Sequence, residues 1–173
     1  YIKQYKLLYV AQEYKVTVAV ETGTSHGYTT GVLARHIEQV YTVEAHQPSF
    51  DAAKASLAIY PNVHMHFGNS ATALPGILKL CDDQRVLIWL DAHYSGPGTA
   101  RLGKNTPVLD ELEVIALRKN KHFVVLIDDA RLFNGLDGYP TVAGIEAFRQ
   151  DYLPFHRPVF VEHDQIHILP ENL

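Results

Sequence analysis

Residues 18–30 read VAVETGTSHGYTT, and this stretch decides the fold that we predict. A short apolar run ends at Glu21, a turn containing Gly23 and Gly27 follows, and small hydroxyl residues then begin a helix. A strand that leads through a glycine-containing loop into a helix is typical of nucleotide-binding loops in doubly wound α/β folds. Because pyrophosphate repels a carboxylate, Glu21 favours a cationic or polyhydroxyl ligand at this loop.

Apolar runs and helical patterns alternate along the rest of the chain. The predicted strands are residues 16–20, 40–43, 63–67, 86–90 and 123–127, followed by a hairpin of residues 159–162 and 165–169. The predicted helices are residues 1–14, 27–37, 49–59, 70–80 (with an irregularity at Pro75), 106–118 and 142–152. This order predicts a Rossmann-like, doubly wound α/β fold. Its mostly parallel sheet has about seven strands, with helices on both faces and a C-terminal antiparallel β-hairpin.

Length and composition limit the function classes. The 173 residues are 47% hydrophobic, which predicts a single domain over residues 1–173. The net charge of −4 lacks the basic field of a nucleic-acid-binding protein, and no apolar run is long enough for a membrane span. Cys81 is the only cysteine, which excludes an internal disulfide and favours a reducing compartment, the cytoplasm. Nothing in the composition indicates an oligomeric state.

Polar or acidic residues follow all five predicted parallel strands. They are Glu21, Glu44, Asn69 with Ser70, Asp91 with His93, and Asp128 with Asp129. An acid after one strand can simply cap the next helix. Ligands in open α/β sheets bind outside the carboxyl ends of the strands, so polar groups after all five ends indicate a binding site.

Two of these positions suit parts of an adenosine. Glu44 lies 21 residues after Gly23 and can accept hydrogen bonds from both hydroxyls of a ribose. Asn69 and Ser70 follow the third strand, where an amide and a hydroxyl can bind an adenine edge. The same Gly-Asn-Ser sequence also suits a turn and a helix cap.

The ordered motifs ETGTxxGxTT, VYTVEA, GNS, LDAHYSG and IDDA resemble those of class I S-adenosylmethionine-dependent methyltransferases, over nearly the whole chain. The first motif lacks the middle glycine of the commoner ExGxGxG form. The resemblance implies S-adenosyl-L-methionine as cofactor, with Glu21 near its methionine amino group, Glu44 at the ribose and Ser70 at the adenine. The cofactor-binding residues implied are Glu21, Thr22, Gly23, Thr24, Ser25, Gly27, Thr29, Glu44, Ala45, Asn69, Ser70 and Asp91.

Three carboxylates follow the fourth and fifth strands, which we expect to be neighbours. Asp91, Asp128 and Asp129 would repel one another and need a cation between them, and oxygen ligands favour Mg²⁺ or Mn²⁺. This D…DD pattern resembles metal-dependent sugar and small-molecule O-methyltransferases. The resemblance implies a metal-bound vicinal diol, with His93 as general base and Asp91 and Asp129 beside it in the catalytic group. Alternatively, Arg131 pairs with the acids and replaces the metal.

The acceptor implied by the resemblance is a hydroxyl of a sugar, a glycan or another vicinal diol. Residues 94–105, YSGPGTARLGKN, form either a substrate loop or a solvated loop, and the candidate substrate residues are Tyr94, Arg101, Arg131 and Tyr139. Two other functions stay open. A nicotinamide-dependent oxidoreductase would need GxGxxG, of which the chain offers only Gly23 and Gly27. A non-catalytic glycan- or nucleotide-binding module of a larger glycan-modifying protein is the other.

Overall fold

One seven-stranded sheet organises the chain in a computed structural model that describes residues 2–94, 96, 99–100, 103–118, 120 and 122–171. The strands are β1 Val18–Thr22, β2 Gln39–Glu44, β3 Val63–Phe67, β4 Val86–Leu90, β5 Phe123–Ile127, β6 Phe160–Glu162 and β7 Gln165–Ile168. The helices are α1 Ile2–Glu13, α2 Tyr28–Ala34, α3 Gln47–Leu57, α4 Ser70–Lys79, α5 Val108–Leu117 and α6 Val142–Tyr152, with a 3₁₀ turn at Ala130–Leu132.

The strand order is β3-β2-β1-β4-β5-β7-β6. The first five strands pair in parallel, and β7 pairs antiparallel with both β5 and β6. The chain moves outward in one direction from β1 to β3 and then crosses back to β4, which lies directly beside β1. The carboxyl ends of β1 and β4 therefore flank the point where the strand order reverses, the position at which doubly wound sheets bind ligands.

Alternating residues of the central strands enter two apolar layers, one on each face of the sheet. Val18 and Val20 of β1 pack in the layer that contains α4 and α5, whereas Ala19 packs in the layer that contains α1 and α2. The side chains of β4 and β5 are buried on both faces, as in a sheet covered by helices on each side. Glu21 follows Ala19 on the α1 and α2 side, and Thr22 follows Val20 on the other.

The predicted fold class is confirmed, including the antiparallel hairpin at the sheet edge. The bounds of β3, β4, β5 and α6 are those predicted from the sequence. Strand β1 starts and ends two residues later than predicted, so Glu21 and Thr22 belong to the strand. Helix α2 ends at Ala34 rather than residue 37, and α4 continues through Pro75 without a break.

The helices of the described residues include none that is both long enough and apolar enough to cross a membrane.

Candidate active site at the carboxyl edge of the sheet

A cleft opens at the carboxyl ends of β1 to β4. Eight of the residues predicted to bind cofactor or substrate, or to act in catalysis, line it: Gly23, Ser25, Glu44, Ala45, Asn69, Ser70, His93 and Tyr94. Its far wall comes from the segment before α5, where Asn105 and Pro107 lie, and from Asp110 of that helix. The sheet thus brings together polar groups from four separate loops at the switch point of the fold.

Glu44 ends β2 and lies in the wall of this cleft with only 7% of its surface exposed. One carboxylate oxygen accepts a hydrogen bond from the Ser25 N–H at 2.7 Å, and the other accepts from the His46 N–H at 2.7 Å. These backbone donors fix the carboxylate between the β1 loop and the start of α3. A rigid, acceptor-only group therefore faces the cleft at the position predicted for ribose.

Asn69 and Ser70 begin α4 beside the same cleft. Asn69 is the N-cap, since its side-chain oxygen accepts from the Ala71 N–H at 2.9 Å. The neighbouring Gly68 has φ of 140°, a conformation that other residues rarely adopt. Gly-Asn-Ser therefore forms a turn and a helix cap, which its sequence also suited, and Asn69 and Ser70 line the cleft as well.

Two buried carboxyls lie behind the cleft instead of facing it. Glu21 is 1% exposed and accepts hydrogen bonds from the hydroxyls of Thr30 and Thr42, the latter at 2.8 Å. Burial raises the pKa of Glu21 to about 7 despite these hydrogen bonds. The sequence-based prediction that Glu21 meets the cofactor stays a prediction, since its carboxyl lies beneath the first turn of α2.

Glu111 is the second buried carboxyl, and our sequence analysis missed it. It hydrogen-bonds with Ser70 and Thr22, burial raises its pKa to about 7, and its Oε1 has no partner among the described residues. The sequence contained a signal. Glu111 lies on the same helical face as the buried Val108 and Ile115, so its spacing already indicated an acid that points inward.

The loop glycines serve close packing of the protein itself. Gly23 has φ of 84°, and a Cβ there would lie 2.5 Å from the Asp91 carbonyl oxygen. A Cβ on Gly27, with φ of 76°, would lie 2.9 Å from Cδ1 of Leu57. Both glycines thus bring the β1 loop against β4 and α3, which is a reason for glycine independent of any ligand.

Three threonines of the predicted cofactor set, in β1, in the loop after it and in α2, make hydrogen bonds within the protein. The Thr24 hydroxyl lies 2.6 Å from that of Thr42, and the Thr29 hydroxyl accepts a long hydrogen bond of 3.4 Å from Gln4. The Thr22 hydroxyl accepts from the Asp91 N–H at 3.3 Å. None of these three threonines is among the residues that line the cleft.

His93 lies between two carboxylates at the edge of the cleft. Its Nε2 is 3.0 Å from Oδ2 of Asp129, within normal hydrogen-bond distance, and its Nδ1 is 3.4 Å from Oδ1 of Asp91. Burial, together with the charges of Asp128, Glu21 and Asp129, raises the pKa of Asp91 well above its ordinary value. Hydrogen bonding from His93 instead lowers the pKa of Asp129.

A lysine from the start of the chain enters the predicted metal cluster. The Lys3 Nζ lies 2.5 Å from Oδ1 of Asp128 and 2.7 Å from Oδ1 of Asp129. Arg131 also donates to Oδ1 of Asp129, at 2.7 Å. The described residues contain no group of three His, Cys, Asp or Glu side chains arranged to hold a metal ion. Lys3 thus lies between Asp128 and Asp129, and Arg131 pairs with Asp129 alone of the three predicted metal ligands, so Mg²⁺ binding stays a prediction.

The candidate substrate residues fall into different environments. Tyr94 lines the cleft, and its N–H donates to the Asn105 carbonyl at 2.8 Å. Tyr139 is only 8% exposed and packs edge-on against Phe133, and it lines a small cavity that His93 and Asp128 also line. Arg131 has an exposed side chain beside the acids. Arg101 lies outside the described residues.

Solved structures of methyltransferases share this architecture. An O-methyltransferase from Bacillus cereus in complex with S-adenosylhomocysteine (SAH) superimposes with a TM-score of 0.64 at 18% identity, covering 97% of this chain and 80% of that one. An SAH-bound methyltransferase from Podospora anserina gives 0.69 at 15% identity, with 98% and 78% covered. The chain has the class I methyltransferase fold. A putative caffeoyl-CoA O-methyltransferase from Staphylococcus aureus gives 0.63 at 18% identity, with 98% and 83% covered.

Sequence comparison alone is less informative. No protein-family model matches the chain. The protein-L-isoaspartate O-methyltransferases of Burkholderia mallei and Burkholderia thailandensis are 36% identical to it over 58 residues. This match covers 32% of the chain and only 18% of each relative. The methyltransferase fold thus rests on the three-dimensional likeness, and the activity is a matter for proposal.

Proposed function

We propose that this chain is an S-adenosylmethionine-dependent O-methyltransferase that methylates a hydroxyl of a sugar, a glycan or another vicinal diol. The observation that carries the proposal is the cleft at the switch point of a class I methyltransferase fold, with His93 at its edge. The residues around the cleft suit this cofactor. Glu44 offers carboxylate oxygens to ribose hydroxyls, and Asn69 and Ser70 offer an amide and a hydroxyl to the adenine. When bound, the cofactor supplies an electrophilic methyl group.

The protein's own contribution is to hold the acceptor and to remove its proton. In this proposal, the Nε2–H of His93 donates a hydrogen bond to Oδ2 of Asp129, 3.0 Å away, and this tautomer leaves a lone pair on Nδ1. The separation of 3.4 Å between Nδ1 and Asp91 is longer than a usual hydrogen bond, so Nδ1 is the nitrogen that accepts the hydroxyl proton. Asp91 and Asp129 then flank the imidazolium that forms.

No divalent cation enters this mechanism. Lys3 and Arg131 already supply positive charge at Asp128 and Asp129, and the carboxylates are arranged around these side chains. The acceptor hydroxyl is therefore activated by His93 in our proposal, with orientation in the cleft as the main contribution to rate.

Calorimetric titration with SAH tests the cofactor. We expect binding by the wild-type protein, no binding of NAD, and an SAH affinity at least about tenfold weaker in Glu44→Gln, because a charged hydrogen bond to the ribose is lost. Glu38→Gln, the same change at an exposed position next to β2, is the matched control. Thermal unfolding without ligand checks that Glu44→Gln folds. Failure of the wild-type protein to bind SAH would refute the proposal.

Transfer of labelled methyl groups to a panel of sugars and vicinal diols tests the base, in the presence of EDTA. We expect His93→Ala to lose about 10²- to 10⁴-fold in kcat, the usual contribution of a general base. His36→Ala changes an exposed histidine and should retain activity. Full methyl transfer by His93→Ala would show that His93 is not the base. SAH binding without transfer to any acceptor would favour the non-catalytic binding module.

A further inference from the structure

Lys3 is the least expected residue at this edge of the sheet. It lies in the first turn of α1, yet its amino group lies among carboxylates that follow β5 and form the turn between β6 and β7. The distances from Nζ are 2.5 Å to Asp128, 2.7 Å to Asp129 and 3.0 Å to Oδ2 of Asp164. A lysine ammonium has three N–H donors, so these three carboxylates use its full donor capacity.

The contacts of Asp129 show what this ammonium does for the site. Oδ1 of Asp129 accepts from Lys3 and from Arg131, both at 2.7 Å, and Oδ2 is the oxygen that faces Nε2 of His93. One oxygen is thus bound by two cations while the other is left for the imidazole. The Lys3 side chain is only 27% exposed and Asp129 only 14%, so water screens these contacts weakly.

We propose that Lys3 is a positioning residue that takes the place of a divalent cation: its ammonium neutralises the acids after β5 and holds Asp129 in the orientation that orients His93. The role of His93 rests on the proposed function, whereas the replacement of a metal by Lys3 does not. A covalently attached ammonium occupies the cluster permanently, and removal of its charge leaves carboxylates that repel one another. Removal of Lys3 should therefore convert this cluster into a site for a hard divalent cation.

Mn²⁺ binding, followed by electron paramagnetic resonance, tests this directly. We expect Lys3→Met to bind Mn²⁺ at least about tenfold more tightly than the wild-type protein, because it exposes oxygen ligands without a competing charge. Lys3→Arg retains the charge and should not gain affinity. Lys6→Met is the matched control, since Lys6 lies on the same helix and pairs with Glu162 instead. Circular dichroism of each variant confirms folding.

The activity arm separates positioning from a purely structural role. In EDTA we expect methyl transfer by wild type and a lower kcat in Lys3→Met. Added Mg²⁺ or Mn²⁺ should restore kcat in that variant alone. A folded Lys3→Met that binds Mn²⁺ no more tightly than the wild-type protein would overturn the proposal. Tight Mn²⁺ binding by the wild-type protein would also overturn the proposal, and this result does not depend on whether the variant folds. If no methyl transfer is found, the proposed function fails while the Mn²⁺ titrations still decide on Lys3.

Discussion

The buried carboxyl of Glu21 should make the protein less stable as the pH rises, and Glu21→Gln should remove this effect. The pKa is 4.5 for an ordinary glutamate and about 7 in the folded protein. Between these values the folded state retains a proton that the unfolded state has released, so the free energy of unfolding falls as the pH rises. From pH 5 to pH 8, the loss amounts to about 2.5 kcal/mol for these two pKa values.

Urea unfolding at pH 5 and pH 8 measures this difference. At pH 5, Glu21 is protonated in most folded molecules. The side-chain oxygen of a glutamine can accept the same hydrogen bonds from the hydroxyls of Thr30 and Thr42. We therefore expect the stability of Glu21→Gln relative to wild type to increase by about 2 to 3 kcal/mol between the two pH values. Glu38→Gln, at an exposed position, measures the effect of the substitution itself. An unchanged difference between Glu21→Gln and wild type at the two pH values would refute the reasoning.

Two further predictions concern the loop after β1 and the C-terminal hairpin. Gly23→Ala should lower the free energy of unfolding by about 1 to 3 kcal/mol in urea titrations, because φ is 84° and the new Cβ would lie 2.5 Å from the Asp91 carbonyl oxygen. If Gly23→Ala were as stable as the wild-type protein, the loop would be able to shift away from the end of β4 at no energetic cost, which contradicts the close packing described. His167 is fully buried, and burial lowers its pKa to about 4, so stability should decline as the pH falls from 6.5 towards 4. The free energy of unfolding of His167→Leu should therefore fall less over this pH range. A fall equal to that of the wild-type protein would show that protonation of His167 is not the cause.

The fold was predictable because its strands are continuous apolar runs bounded by turn residues. VLIWL and FVVLI match β4 and β5 to the residue. The error in β1 has a physical cause. The polar side chains of Glu21 and Thr22 predict a strand that ends before them, at residue 20, yet Glu21 pairs in register with Thr42 and Trp89. They stay buried because hydroxyl groups on α2 and β2 bind Glu21, and Thr22 hydrogen-bonds with Glu111.

The candidate site was predictable only where local sequence places a residue at a strand end. Glu44 lines the cleft as the last residue of β2, and Ser70 and His93 line it because they lie three positions after the ends of β3 and β4. Lys3 could not be found in this way, since 125 residues separate it from Asp128 and nothing in residues 1–14 marks an inward-pointing cation. The sequence shows the three acids of the predicted metal site, whereas only the structure shows that Lys3 lies beside Asp128 and Asp129.

Acids at the carboxyl ends of strands form one pattern in the sequence, but the structure supplies hydrogen-bond partners to three of them in three different ways. Glu21 is buried against threonine hydroxyls with a raised pKa, Glu44 is bound by backbone N–H groups, and Asp129 is bound by cationic side chains. The first arrangement favours a neutral carboxyl, the second leaves a fixed acceptor in the cleft, and the third keeps a carboxylate ionised beside His93. All three are acidic residues, so the surrounding donors and the degree of burial decide whether each carboxyl is neutral inside the protein, held in the wall of the cleft or ionised beside His93.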